Sequence, residues 1–401
     1  MLNGPFSPWP SFTAEESQAV QRVLLSNQVN YWTGEEGLEF EREFARFVGS
    51  QHAIALANGT AALELALKGL GIGEQEHEEV IVTARTFVAS ASSIVNVGAV
   101  PVFADIDRES QNITAATVAE KITPRTRAII AVHLAGWPCD MDELMALAEQ
   151  HRLYVIEDCA QAHGARYRGK SVGSIGHVGC WSFCQDKIMT TGGEGGMVTT
   201  DDTPLWKRMW AFKDHGKSWD AVHIQDHPPG FRWLHESFGT NWRMTEMQAA
   251  IGRIQLERMP EWSAKRRDNA QRIWQAAVDC SGLRVPMFNS GSVPSCISEY
   301  SRHAAYKCHV FVEPKRLKPG WDRDRILAEI NERGVPCFSG GCSEVYREKA
   351  FENTGWQPQA RLPVARELGQ TSLMFLCHPT ITQDELDKTC QVLQDVMKAS
   401  T

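Results

Sequence analysis

Tyr154-Val-Ile-Glu-Asp158, continuing as Cys159-Ala-Gln161, is the stretch on which the fold turns. An apolar run that ends in an acid reads as a strand buried on both faces, with Asp158 at its C-terminal end. Upstream, Met141–His151 carries Leu144, Leu147 and Ala148 at helical spacing. Downstream, Gly179–Phe183 is again short and apolar. The same alternation extends in both directions. Strands are predicted at Ala53–Leu56, Val80–Thr83, Pro101–Ile106, Ala128–His133, Tyr154–Asp158, Gly179–Phe183 and Met197–Thr200, with helices at Thr60–Leu70 and Val88–Val97 between them. Strand–helix–strand repetition implies an α/β fold whose mostly parallel seven-stranded sheet is sandwiched by helices.

Outside this block, Thr13-Ala-Glu-Glu16 reads as a capping box opening a helix through Leu25. From Met244 a long helix is predicted, broken at Pro260. Beyond it come a strand at Lys307–Val312, a helix at Asp322–Arg333 and a final helix from Gln383, with Ser281–Ser301 as a loop rich in Ser, Gly and Pro. These elements predict an N-terminal segment and large domain over residues 1–259 and a smaller α/β domain over residues 260–401.

Bulk properties narrow the function classes. The 401 residues are 43% hydrophobic and 22% charged, ordinary globular usage, with a formal net charge of −8. An acidic chain is a poor non-specific nucleic-acid binder. No apolar window reaches membrane-span length and no signal-peptide core is visible. Eleven scattered cysteines without a CxxC pair read as free thiols of a reducing compartment, so a soluble cytoplasmic protein with no metal centre is expected.

Three motifs fall at strand C-termini or in the loops that follow, where open α/β sheets place ligands. In Asn58-Gly59-Thr60-Ala61-Ala62-Leu63, a fresh helix N-terminus with a Gly and a hydroxyl forms a phosphate cup. Asp158 at its strand end needs a cationic partner, such as a protonated ring nitrogen. In Trp181-Ser-Phe-Cys-Gln-Asp-Lys187, followed by Thr190-Thr-Gly-Gly-Glu-Gly-Gly196, a Lys lies between an apolar strand and a Gly-rich turn, as a Schiff-base lysine does. Phosphate cup, strand-end Asp and Lys follow in the chain order of a pyridoxal phosphate (PLP) enzyme. A fourth motif, Gly239-Thr-Asn241-Trp-Arg243-Met244, offers Asn241 and Arg243 as anion donors ahead of the long helix.

With these residues in place, the chain resembles the sugar aminotransferases of the DegT–StrS family, PLP enzymes of fold type I, from about Trp32 to Pro379. The likeness runs through Tyr31-Trp-Thr-Gly34, Asn58–Leu63, Thr86-Phe-Val-Ala89, Pro101–Asp107, His133-Leu-Ala-Gly136, Glu157–Ala162, Ser182-Phe183 with Lys187, Glu194-Gly-Gly-Met197 and Asn241–Met244 with Gln248–Gly252. The resemblance implies that Lys187 is the Schiff-base lysine and proton shuttle, that Asp158 pairs with the pyridinium nitrogen, and that Gln161 donates to the ring hydroxyl. It further implies that Phe87 stacks on the ring, that Gly59, Thr60 and Ser182 hold the phosphate, and that Asn241 reaches the phosphate of a neighbouring subunit in an obligatory homodimer with shared active sites. Implied substrates are L-glutamate and a nucleotide-linked ketosugar, giving an aminosugar for a surface polysaccharide or glycoside. Ala84-Arg85, Ala135 and Trp137 depart from the residues common in relatives. Arg85, Trp32 and His309 are candidate substrate contacts, with Ser343-Glu-Val-Tyr346 as a further one. Other functions open to this fold are a PLP-dependent nucleotide-sugar dehydratase, an aminocyclitol aminotransferase and a non-catalytic regulator. Relatives of the dehydratase type resemble one another in carrying His at the lysine position, which here is Lys187.

Overall fold

The computed structural model describes residues 5–287 and 301–401. All seven predicted strands form one sheet: β1 (His52–Leu56), β2 (Glu79–Thr83), β3 (Val100–Ala104), β4 (Thr126–Val132), β5 (Tyr154–Asp158), β6 (Val178–Ser182) and β7 (Gly196–Thr200). Their spatial order is β1-β7-β6-β5-β4-β2-β3. β7 runs antiparallel to both β1 and β6, and the other neighbouring pairs are parallel. Every residue of β2, Glu-Val-Ile-Val-Thr, is buried, as a strand covered by helices on both faces requires.

Caps fix the helices that follow the strands. The Asn58 side chain accepts the Ala61 N–H at 2.8 Å and opens the helix Gly59–Gly69 directly off β1. Thr13 caps Ala14–Ser26 through the predicted capping box with Glu16. Thr245 does the same with Gln248 for Glu246–Val278. That helix passes through Pro260 without the predicted break. Residue 260 is therefore mid-helix, and the helix carries the chain from the first sheet to the second.

The second sheet holds β8 (Leu283–Arg284), β9 (Cys308–Val312), β10 (Cys337–Phe338) and β11 (Ser372–Phe375), in the order β8-β9-β11-β10 and antiparallel throughout. β8 lies inside the stretch predicted as loop. Residues 288–300 of that prediction are outside the described residues. Helices Arg323–Glu332 and Gln383–Ser400 match their predictions closely. Separate apolar clusters underlie the two sheets. Among the described residues, no helix is long and apolar enough to cross a membrane.

Candidate active site

A cavity of about 650 Å³ opens beside the C-terminal ends of β1, β5 and β6. It is lined by Gly59, Thr60, Phe87, Asp158, Gln161, Ser182 and Lys187. Those residues are spread over almost 130 positions of sequence, and the parallel sheet gathers them because it points these strand ends the same way.

The helix starting at Gly59 presents its first turn to the cavity. Asn58 takes the N–H of Ala61 with its side chain and that of Ala62 with its carbonyl. Among the described residues nothing claims the N–H groups of Gly59 and Thr60, so both are donors for an anion. A Cβ at Gly59 would lie 2.6 Å from the Ser182 Cβ. Only glycine lets the cup close against the end of β6, which brings the Ser182 hydroxyl alongside.

Asp158 is 5% exposed. Its Oδ2 accepts from Ser90 Oγ at 2.7 Å and its Oδ1 from the Ala160 N–H at 3.1 Å. Among the described residues it has no ion-pair partner within 4 Å. Burial raises its pKa, and the Ser90 and Ala160 hydrogen bonds with the charge of Lys187 only partly oppose that. A carboxylate in that condition gains from a cationic group placed in the cavity.

Gln161 accepts the Ala135 N–H on its Oε1 at 2.8 Å, which leaves the amide Nε2 as a donor toward the cavity. Ala135, whose φ is +57°, meets Gln161 through its backbone N–H and is not among the residues that line the cavity. Phe87 is 65% exposed, an aromatic face turned to the cavity and not to the core.

Lys187 is carried by the loop after β6. The turn that follows it reverses on Gly192 and Gly193, with φ of +86° and +125°, values open to glycine. Thr190 pins the turn by donating its hydroxyl to the Phe183 carbonyl at 2.9 Å. The lysine side chain is mostly buried, with Nζ 3.7 Å from Asp186 Oδ1 and 5.4 Å from the centre of the Tyr306 ring.

The remaining candidates are elsewhere. Arg85 and His309 are buried and are not among the residues that line this cavity. Arg85 donates to Ser343 Oγ at 3.1 Å and Ser372 Oγ at 2.9 Å. A Cβ at Gly340 would stand 3.1 Å from both Arg85 Nη2 and His309 Nε2, so these two substrate candidates both lie against Gly340. Tyr346 donates to Glu344 and accepts from the Leu362 N–H, ordinary packing contacts. Trp32 is half-exposed and packs its ring 3.9 Å from Lys217 Nζ. Asn241 is exposed and outside the cavity lining of this chain, while its neighbour Trp242 lines it. Arg243, offered with Asn241 as an anion donor, is paired at 2.5 Å with buried Asp214.

Ser90 was missed in the sequence. Its signal was weak but present: a hydroxyl on the buried face of the apolar helix Ala89–Asn96 needs a partner, and Asp158 is that partner. Asp186 and Glu194, acids inside the quoted motifs to which the sequence assigned no role, also line the cavity.

A family model described as the DegT/DnrJ/EryC1/StrS aminotransferase family matches residues 10–394. The chain is 47% identical to a GDP-perosamine synthase of Caulobacter vibrioides over 366 residues, 90% of each chain. The solved aminotransferase from Psychrobacter cryohalolentis superposes with a TM-score of 0.95 at 61% identity, covering 98% of this chain and 99% of that one. The PLP form of a putative sugar aminotransferase, Spr1654 of Streptococcus pneumoniae, superposes with a TM-score of 0.85 at 26% identity over 99% of both chains.

Proposed function

The chain belongs to the DegT/DnrJ/EryC1/StrS aminotransferase family, and on that footing we propose that it moves an amino group from L-glutamate to a keto group of a nucleotide-linked sugar. The carrying observation is the pairing, in one cavity, of Lys187 with the buried carboxylate of Asp158, which has hydrogen-bond donors but no cationic partner among the described residues. That donor set fits PLP. The cup at Gly59, Thr60 and Ser182 suits a phosphate, the exposed face of Phe87 suits an aromatic ring, and Asp158 suits a protonated ring nitrogen.

When bound, PLP supplies a carbonyl that condenses with primary amines and a ring that accepts electron density from the amino-acid Cα. The chain's residues do the rest. Asp158, oriented by Ser90, keeps the proton on the ring nitrogen. Gln161 Nε2 donates to the ring oxygen. Lys187 Nζ takes the proton from the donor Cα and later returns one to the carbon of the sugar that receives nitrogen. The Gly59 and Thr60 N–H groups and the Ser182 hydroxyl anchor the phosphate, so the proton moves over a fixed geometry.

Asn241 completes the phosphate site of a second copy in a homodimer. Supporting this, Phe231, Trp233 and Phe238, which precede it, are 79%, 84% and 98% exposed, an apolar surface suited to burial against another subunit. The cysteines of the described residues are free, which supports a cytoplasmic site of action. The product is an aminosugar for surface polysaccharide assembly.

The test is nitrogen transfer. With L-[15N]glutamate and GDP-linked ketosugar, the label is expected in the sugar, and Lys187→Ala is expected to abolish transfer. No label transfer to any of a GDP-, UDP- and dTDP-linked ketosugar set, or undiminished transfer by Lys187→Ala, overturns the reading.

A further inference from the structure

A second recess, of about 340 Å³, opens on the other side of Asp186, the residue it shares with the larger cavity. Its volume is in the range of small-molecule sites. Trp9, Arg266, Tyr306, Lys307 and His378 are among its walls. It lies against the catalytic loop: the Trp9 indole donates to the Lys187 carbonyl at 2.8 Å, and the Tyr306 hydroxyl donates to Asp186.

Its charges do not balance. Arg266, on the helix Glu246–Val278, is 1% exposed, with its guanidinium 4.8 Å from the centre of the Trp9 ring. Its Nε and Nη2 have no hydrogen-bond partner among the described residues. Enclosing such donors without an acceptor is costly, and a ligand that supplies one relieves the cost. Lys307 rests its Nζ 4.7 Å from the centre of the Tyr306 ring and makes no ion pair among the described residues. The recess carboxylate, Asp186, is already engaged by Lys187 and the Tyr306 hydroxyl. His378 adds no positive charge at neutral pH, because burial brings its pKa to about 4, and its Nδ1 is 2.9 Å from Thr380 Oγ1. Two cations thus face a small space next to the lysine on which the chemistry depends, and the one carboxylate among its walls, Asp186, is already engaged.

We propose that this recess binds a carboxylate of the amino-acid donor, with Arg266 and Lys307 as its partners. The inference rests on the aminotransferase reading, which requires a dicarboxylic donor to bring its Cα to Lys187 Nζ. The larger cavity accounts for the cofactor, and the recess gives the donor its own anchor.

The probe is glutarate, an inert dicarboxylate, titrated calorimetrically into the PLP-loaded enzyme. The visible cofactor band is followed in parallel as L-glutamate is added. Wild type is expected to bind glutarate. Lys307→Met and Arg266→Met are each expected to weaken it by about tenfold or more and to raise by a similar factor the L-glutamate needed for half-maximal bleaching. Arg266→Lys is expected to recover part of the loss. The KM for the ketosugar is expected to stay unchanged, which a merely structural role would not give. Should Arg266→Met fail to fold, Lys307→Met, only half-buried, carries the test alone. Glutarate affinity that is unchanged in the variants while L-glutamate still bleaches the band overturns this inference and leaves the aminotransferase reading standing. Absence of glutarate binding in wild type also overturns it. No bleaching of wild type by L-glutamate overturns the reading, and the inference with it.

Discussion

Glu157 and Asp158 are adjacent on β5, are both buried, and point to opposite faces of the sheet, yet the two faces treat them differently. Glu157 accepts from the Gly173, Ile175 and Gly176 N–H groups at 2.8, 2.8 and 2.7 Å, and lies 3.0 Å from His133 Nε2. His133 Nδ1 is itself an acceptor for the Cys139 N–H, so the ring proton is on Nε2 and is donated to Glu157. Burial alone would raise the Glu157 pKa, but these donors outweigh it and the pKa is lowered. Asp158 has two donors, and its pKa is raised by burial. Burial is therefore not what marks the functional acid. The mark is incomplete satisfaction: one face of β5 closes a structural network, and the other leaves a carboxylate for a ligand to complete.

The contrast breaks most readily at Asp158. Asp158→Asn is expected to lower turnover by about 10²- to 10³-fold, the usual scale for losing one preorganised electrostatic contact. The apoprotein should be no less stable than wild type in urea, because the change removes an under-satisfied charge. A destabilisation equal to that of Glu157→Gln would erase the distinction. Glu157→Gln is expected to cost roughly 2–4 kcal/mol in urea unfolding, since a neutral amide forfeits charge-assisted bonds and sets an NH₂ against N–H donors. The cofactor spectrum of the folded variant should remain that of wild type.

Acid sharpens the same contrast with opposite signs. The folded pKa of Glu157 is depressed, so its stabilisation is complete above about pH 4.5 and is lost as pH falls through the folded value. The folded pKa of Asp158 is raised above 3.8, so between the two values the folded state binds more protons and falling pH favours folding. Between pH 6 and pH 3, Glu157→Gln should lose less stability than wild type and Asp158→Asn more, as urea midpoints across the pH series would report. The smallest effect is expected from Ser90→Ala, about 1–2 kcal/mol of PLP affinity, read as a roughly 5- to 30-fold rise in the PLP dissociation constant, through the bond that orients Asp158.

The first sheet was legible because each of its strands is a short apolar run bounded by Gly, Pro or Asp, a pattern set by burial on both faces. The helix Glu246–Val278 was legible at its start, read as Met244, but not at Pro260, where packing along both flanks keeps a helix that local propensity would break. Strand β8 has two residues, too few to show alternation. In the site, Lys187, Asp158 and the Gly59 cup could be read locally, since each is a polar group at a strand end. Arg85 could not: its position after β2 is that of a ligand contact, but its side chain turns to Ser343 and Ser372, more than 250 residues away in sequence. Ser90 gave only a weak signal and Arg266 none, for the same reason. What distinguishes them is a partner, or the lack of one, that only tertiary structure reveals.

The account stands most directly on the visible spectrum of the PLP-loaded protein as L-glutamate is added. The result it expects is an absorption band that depends on Lys187 and bleaches saturably with L-glutamate, then returns on addition of 2-oxoglutarate. PLP that fails to bind, or a bound band that L-glutamate leaves unmoved, would contradict it.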